Sequence, residues 1–373
     1  MQELARRQQQ RVVEVQGADA IAALLPQWEA LAREVAKGQP FLGPDFILGW
    51  CRAFCPDLVP RVLCVRSEGG ALEALLPLIA KREWLYGLPV RALNTPVNAH
   101  SCRFDLLARD PWESGPLLLD HLEATGGWDR LLLRDVPAGG AGEVLFELAR
   151  RRGLPVGRWE SQRSPWFSLP TSVEALHATL DTKFKANLRR RRRKLSQSGA
   201  LVLERFEGGP QLAARLEEGF ALEGSGWKGK RGTAIAQDGP TRRFYEELAE
   251  RSARQGRLAL YFLRQGGRAV AFHFGLEQDG RYFLLKPGYD ESLGACSPGQ
   301  LLMEDVTADL IGRGVREFDF LGPDMTWKRD WTDRVRVHAW YSIHARGRLG
   351  SVLHAAKFRV TPAVKEVLGP WLH

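Results

Sequence analysis

Apolar positions recur along this chain with two periods, and the switches between them mark out its elements. Residues 11–15 alternate as a strand, and Ile21, Leu24, Leu25, Trp28 and Leu31 then return at helical spacing. Pro40-Phe41-Leu42-Gly43-Pro44 interrupts the chain. Phe46, Ile47, Trp50 and Phe54 mark a second amphipathic helix that Pro56 stops. Residues 61–66 and 71–81, joined by a glycine-containing turn, predict a hairpin. Further apolar pieces lie at 106–107 and 131–133. Helices are predicted at about 116–123 and 142–152, and a strand or crossover at 158–169.

The second half repeats the alternation more sharply. A helix over 173–180 leads to Asp181 or Thr182, either of which suits an N-cap. The helix after it buries Phe184, Leu188 and Leu195 on one face and ends near Gly199. A strand at 201–206 and helices near 211–223 and 242–255 follow. Three strands at about 258–263, 269–276 and 282–285, joined by tight Gly266-Gly267 and Asp279-Gly280 turns, form an antiparallel meander. Proline has no N–H to donate, so Pro287-Gly288 is expected to break the pairing of the third strand. Ser297-Pro298-Gly299 opens a helix carrying Leu301, Leu302, Val306, Leu310 and Ile311, with serine expected as its cap. Gly312 and Gly314 close it, and strands at 317–321 and 336–345 and a helix at 351–358 complete the chain. A splayed strand beside a helix N-terminus would aim amides and a positive dipole end at one crevice, which suits an anion such as a pyrophosphate.

Two α/β units in tandem account for this order. Ser114-Gly115-Pro116-Leu117-Leu118-Leu119-Asp120 echoes Ser297-Pro298-Gly299-Gln300-Leu301-Leu302, and each segment is followed by a glycine, a strand and a proline. The predicted fold class is α/β (α+β): two domains, 1–170 and 171–373, each a mixed, mostly antiparallel sheet flanked by helices. At 373 residues the chain is long for one core. The boundary near Pro170-Thr171-Ser172 has no glycine- or serine-rich linker.

Composition changes this picture in one place. The net charge of +9 gathers between Lys183 and Lys194, where eight basic residues and no acid occur, so the rest of the chain is close to neutral. A solvated helix face explains such a run. Arg189, Arg190 and Arg193 are the candidates for binding a tRNA or another anionic surface. No apolar run reaches the ~18–20 residues of a membrane helix. The start MQELARRQQQ has no signal core, and the five cysteines form no CxxC pair. A cytoplasmic protein with reduced thiols is expected. There is no HExxH, GxSxG or Walker loop, so the reading calls for no metal, serine-hydrolase or P-loop chemistry.

The ordered set Lys185-Ala186-Asn187-Leu188-Arg189-Arg190, Ser225-Gly226-Trp227-Lys228-Gly229, Ser297 to Leu302, Phe318 to Asp324 and Trp327-Lys328 resembles the GNAT acyltransferase superfamily. The second half is similar to its CelD-like, cellulose-biosynthesis-associated branch and to the Fem-like peptidyltransferases, which carry two GNAT units. The resemblance covers about 168–344. It implies an N-acyltransferase that moves an acyl group, acetyl first, from acetyl-CoA or another acyl-CoA to the amine of a small molecule, polysaccharide or peptide. An aminoacyl-tRNA donor, as in the Fem-like proteins, and a non-catalytic binding protein on the same fold are the alternatives. Ser-Pro-Gly-Gln stands where many acetyltransferases carry an Arg/Gln-x-x-Gly-x-Gly/Ala loop.

Roles follow for single residues. Asp319 at the end of a central strand is the candidate general base, Tyr289 the acid for the leaving thiol, and Lys328 with Asp324 the oxyanion or acceptor contacts. Lys286, Pro287, Gly288, Ser297, Pro298, Gly299 and Gln300 would hold the donor. Trp227 and Lys228, in a glycine-rich loop, and His273, within a strand, would meet the acceptor. Each has a plain structural reading beside it, such as a core histidine for His273 or an ion-pair partner for Asp319.

Overall fold

The computed structural model describes residues 11–225 and 234–360. They form two compact units. The first takes the described residues up to Cys51, Cys55–Gln162 and those from Val337 onward; the second takes Arg52–Phe54 and Arg163–Arg336.

In the first unit, β1 (Arg11–Val15), β2 (Arg61–Arg66), β3 (Leu72–Leu85) and β4 (Leu88–Asn94) pair antiparallel in sequence order. A short β5 (Leu107–Ala108) adds to β3. β4 then pairs in parallel with β6 (Arg130–Pro137). β13 (Val335–His344) pairs antiparallel with β6. Helices α1 (Ala18–Val35), α2 (Pro44–Phe54), α3 (Pro111–Thr125) and α4 (Ala141–Arg151) flank this sheet, and α1 buries Ile21, Leu24, Trp28 and Leu31 as its periodicity predicts. β4 was absent from the sequence reading. The predicted helix opening at Ser114-Gly115-Pro116 also falls elsewhere. α3 starts at Pro111, where the Asp110 carboxylate accepts from the amides of Trp112 (2.8 Å) and Glu113 (3.2 Å), and Ser114 lies inside the helix. An acid followed by proline is a stronger opening signal than a serine three residues later.

The second unit begins in β7 (Val156–Ser168) and runs through α5 (Val173–Thr179), α6 (Thr182–Ser196), β8 (Leu201–Phe206), α7 (Leu212–Gly224) and α8 (Gly239–Arg254). The meander follows as β9 (Leu258–Gln265), β10 (Arg268–Gln278) and β11 (Arg281–Tyr289). α9 (Pro298–Gly312) crosses over to β12 (Glu317–Asp319), which lies between β11 and β7, and a short α10 (Thr326–Arg329) follows. Asp181 caps α6, its carboxylate accepting from the Phe184 amide at 2.9 Å. Phe184, Leu188 and Leu195 join Leu301, Leu302, Val306 and Leu310 of α9 over Ala259, Tyr261, Leu263, Tyr282 and Leu284 of the sheet. Each such side chain contributes about 1.5–3 kcal/mol on burial, so α6 is fixed by its apolar stripe whatever its charged face does. The two units thus have the predicted class of mixed, mostly antiparallel sheets flanked by helices. After β13 comes α11 (Arg348–Ala355). No helix among the described residues is long and apolar enough to cross a membrane.

Candidate active site

The strand expected to leave its sheet at Pro287 does not. β11 stays in register with β10 through Phe274↔Lys286, His273↔Pro287, Phe272↔Gly288 and Ala271↔Tyr289. The parting is on its other edge. β12 pairs with β11 only from Arg281↔Glu317 to Phe283↔Asp319. Beyond that point the chain keeps to β7, the Phe320 amide donating to Pro165 O at 3.1 Å and Ser164 Oγ donating to Gly322 O at 2.9 Å. Pro287 is therefore tolerated next to an edge where no described strand needs its missing N–H. The irregularity in β11 lies two residues earlier. The register steps from Gly275↔Leu284 to Phe274↔Lys286, which leaves Leu285 without a partner on β10, the two-against-one count of a β-bulge. β11 thus carries a bulge where β12 has just left it.

From Tyr289 a short 3-10 turn (Glu291–Cys296), packed against α6, leads to α9. Ser297 occupies the N-cap position, but with φ 44° and ψ 59° and without a side-chain cap; its hydroxyl donates to Gly294 O at 3.4 Å. This corrects the expected serine cap. Pro298 brings no amide, and those of Gln300 and Leu301 turn back to Ser297 O at 3.0 and 3.3 Å. Gly299 lies against the Tyr289 ring, a Cβ there meeting it at 3.5 Å. The Gln300 side chain is engaged on both atoms: it donates to Trp327 O at 3.2 Å and accepts from Trp331 Nε1 at 2.7 Å. Of the seven residues assigned to a donor, Gln300 is thus spoken for by its own fold. The other six lie along β11 and the start of α9.

Asp319 is fully buried. One oxygen accepts from the Leu321 amide at 2.9 Å and the other from Arg336 Nη1 at 2.6 Å. Arg336 also reaches Glu317 at 2.8 Å, and its guanidinium stands 4.1 Å from the centre of the Trp166 ring. The ion-pair partner that the sequence allows for Asp319 is Arg336, which no local spacing connects to it. Lys328, 4% exposed, donates from Nζ to Leu321 O (2.6 Å) and Pro323 O (2.8 Å). It pins a turn in which Leu321 and Gly322 have φ of 50° and 55°. Asp324 is held by Arg329 through two hydrogen bonds of 3.1 and 2.9 Å.

Tyr289, at the end of β11, is 41% exposed. Its carbonyl accepts from Ser225 Oγ at 2.7 Å, at the end of α7. Gly288 lies flush against the same helix: a Cβ on it would stand 2.6 Å from Glu223 N and 2.7 Å from Glu223 Cα. Lys286 projects over the Tyr245 ring of α8 at 5.5 Å. His273 is 2% exposed, its Nδ1 meets no polar partner, and burial alone lowers its pKa to about 3, so the ring is neutral near pH 7. Trp227 and Lys228 lie outside the described residues. Glu223, buried and accepting from the Ile235 amide at 3.0 Å, was not anticipated.

On α6, Lys183, Arg189, Arg190, Arg193 and Lys194 are exposed and make no ion pair with any described residue. Arg192 differs: it pairs with Glu304 (2.8 Å) and Asp305 (2.6 Å) of α9. Among the described residues, no group of three or more His, Cys, Asp or Glu is disposed to hold a metal ion.

Residues 182–329, all within the second unit, match the family model of the acetyltransferase (GNAT) domain, so this unit holds a domain of that type. Solved structures share the fold along nearly the whole chain. The C-terminal domain (DUF2156) of a protein assigned as a lysylphosphatidylglycerol synthetase from Agrobacterium fabrum is 12% identical, with TM-score 0.53 over 91% of this chain and 96% of that one. L-PGS from Bacillus licheniformis is also 12% identical, with TM-score 0.51 over 88% and 94%. FemX is 9% identical, with TM-score 0.54 over 88% and 96%. These identities establish a shared fold and nothing finer. No curated protein matches the sequence.

Proposed function

We propose that this protein is an N-acyltransferase that moves an acyl group, acetyl first, from acyl-CoA to an amine, within the CelD-like branch that its residues resemble. The observation that carries the reading is the parting of β11 from β12 after Phe283 and Asp319, beside the bulge at Leu285 and the start of α9, inside the segment that matches the acetyltransferase domain. A thioester laid in that gap would meet β11 amides near Leu285 to Gly288, suited to charge developing on the carbonyl oxygen. The positive end of α9, with Gly299 lacking a side chain, suits the donor's phosphates, while the inward turn of the Gln300 and Leu301 amides leaves much of that charge to be met by cations.

In this reading the neutral amine attacks the acyl carbon, the C–N bond forms, the C–S bond breaks, and Tyr289 gives its phenolic proton to the departing thiolate. The amine's surplus proton leaves to water. Asp319 is taken up by Arg336 and Leu321 and serves as a positioning residue that ends β12 where the gap begins. Calorimetry with acetyl-CoA and longer acyl-CoAs tests the reading: binding in the micromolar range is expected, and none at millimolar donor would sink it. With an accepted amine, Tyr289→Phe should lower kcat by about 10²-fold or more, as loss of a general acid does, with unchanged melting temperature.

A second reading has its own observation. Five exposed cations on one helix, paired with no acid among the described residues, would suit a tRNA backbone, and with it an aminoacyl-tRNA donor. Filter binding of tRNA at low and high salt, with Arg190→Glu/Lys194→Glu beside the wild type, separates the readings. Salt-sensitive binding lost in the variant favours tRNA; no binding at low salt removes it.

A further inference from the structure

The first unit has a partly buried polar strip that the acyl-transfer reading does not use. It runs across β3, β4, β6 and β13. Arg130 of β6 is the register partner of His344 of β13, and both project to the same face. Arg130 Nη2 donates to Glu83 of β3 at 2.6 Å and to Asn94 of β4 at 3.4 Å. Asn94 Nδ2 in turn donates to Glu83 at 2.9 Å, and Lys81 Nζ lies 2.8 Å from the same carboxylate. Arg134, four residues along β6, stacks on Trp340 at 4.8 Å, and Trp340 stands 5.5 Å from Trp159. Ser342 Oγ and His344 Nε2 are 2.9 Å apart, and both residues are 2% exposed.

Among the described residues, three nitrogens in this strip are buried and find no partner: Arg130 Nε, Arg134 Nε and His344 Nδ1. Both guanidinium nitrogens are N–H donors in every protonation state. Burial holds the His344 pKa at about 4, so the ring carries one hydrogen near pH 7. With the Ser342 hydroxyl donating to Nε2, that hydrogen sits on Nδ1. All three orphans are then donors, and none of them is an acceptor. Leaving a buried donor unsatisfied costs about 1–3 kcal/mol, and Arg130 lies near enough to both Arg134 and His344 for their charges to act on one another, so an acceptor on this face would serve them. Charge points the same way: Arg130 and Lys81 share the single carboxylate of Glu83, and Arg134 makes no ion pair with any described residue.

We propose that this face of the first unit is a binding site for a small oxyanion, a phosphate or carboxylate group, held by Arg130, Arg134 and the Ser342-oriented His344, with Trp340 beside it to cover an attached ring. The site is built from first-unit residues alone, so it stands or falls independently of the acyl-transfer reading.

The test titrates the full chain separately with inorganic phosphate and with benzoate, following the His344 ring-nitrogen signals by NMR and tryptophan fluorescence. Saturable binding that moves Nδ1 is expected, weakened about tenfold or more in Arg134→Gln, in line with a lost charge-assisted hydrogen bond. Saturation by phosphate alone, benzoate alone or both supports the site and assigns its ligand class. Should neither probe saturate, or should Arg134→Gln bind as tightly as the wild type, internal water satisfies these donors and the proposal falls. If Arg134→Gln melts early, Arg134→Lys keeps the charge but loses the Nε donor, and the wild-type titration alone still decides.

Discussion

Arg336 clamps Asp319 to Glu317, donating from its two terminal nitrogens at 2.6 and 2.8 Å and so tying together the two ends of β12. The Asp319 carboxylate is fully buried, and its other oxygen already accepts the Leu321 amide. Removing the guanidinium would take from this buried anion the countercharge that Arg336 supplies. Arg336→Ala is therefore expected to cost about 3–5 kcal/mol in urea denaturation. Asp319→Asn should destabilise the protein without shifting the pH profile of kcat. A profile that loses its acidic limb in Asp319→Asn would restore Asp319 as the base.

Lys328 makes a related prediction. Its ammonium is bound to two carbonyls of the 321–323 turn. Hydrogen bonds from charged donors contribute about 1.5–3 kcal/mol each, so Lys328→Met should lower stability by roughly 2 kcal/mol or more. Arg at this position should fail to rescue, because a planar fork does not fit two carbonyls pinned by a point charge. Full stability of Lys328→Met with lost activity would move the residue into the chemistry.

Gly288 sets β11 hard against α7. A methyl group there would press on the backbone of Glu223 and on Leu222 C at 2.9 Å, and helix backbone cannot swing aside as a side chain does. Overpacking of this kind costs about 1–3 kcal/mol. Gly288→Ala should reduce stability within that range and raise KM for the donor, because the strand would move away from α7. Unchanged KM with reduced stability would show that the gap lies elsewhere.

His273 gives a pH dependence with a definite sign. Its folded pKa, about 3, lies below the ordinary value of 6.5, so below pH 6.5 the unfolded chain binds a proton that the folded chain refuses. The stability from keeping this ring neutral is complete above pH 6.5 and is lost as the pH falls toward 3. The slope approaches about 1.4 kcal/mol per pH unit. His344, held at about 4, adds a second contribution of the same sign. Denaturant midpoints at pH 7 and pH 5 should differ less in His273→Asn, by about half the histidine contribution. An identical difference in the variant would mean that His273 is charged in the fold.

Periodicity located the elements that bury a stripe. α1, α2, α6 and α9 lie where Trp28, Trp50, Leu188 and Leu302 require, because the side chains that set the period also make the core. β4 escaped because Pro89 and Arg91 dilute its alternation, although Val90, Ala92 and Leu93 are buried. The missing donor of Pro287 was expected to break the third strand's pairing, yet the ladder with β10 runs through it and β12 parts four residues earlier, after Phe283. The proline did not say which neighbour was absent, since that depends on where β12 ends, some thirty residues later. The same limit hid Arg336 and Glu223, whose partners come from other elements, and the unusual backbone of Ser297, which no serine signature predicts.

The parallel register of β11 with β12 also sets an order in which the molecule can assemble. Strands β9 to β11 meet through two tight turns, so their ladder closes at little entropic cost. Phe283 and Asp319 can be brought together only after α9 has formed and folded back across the sheet. The gap that would receive a substrate is a late product of folding, and a refolding chain should recover its strand and helix signals before it recovers any capacity to bind a donor there.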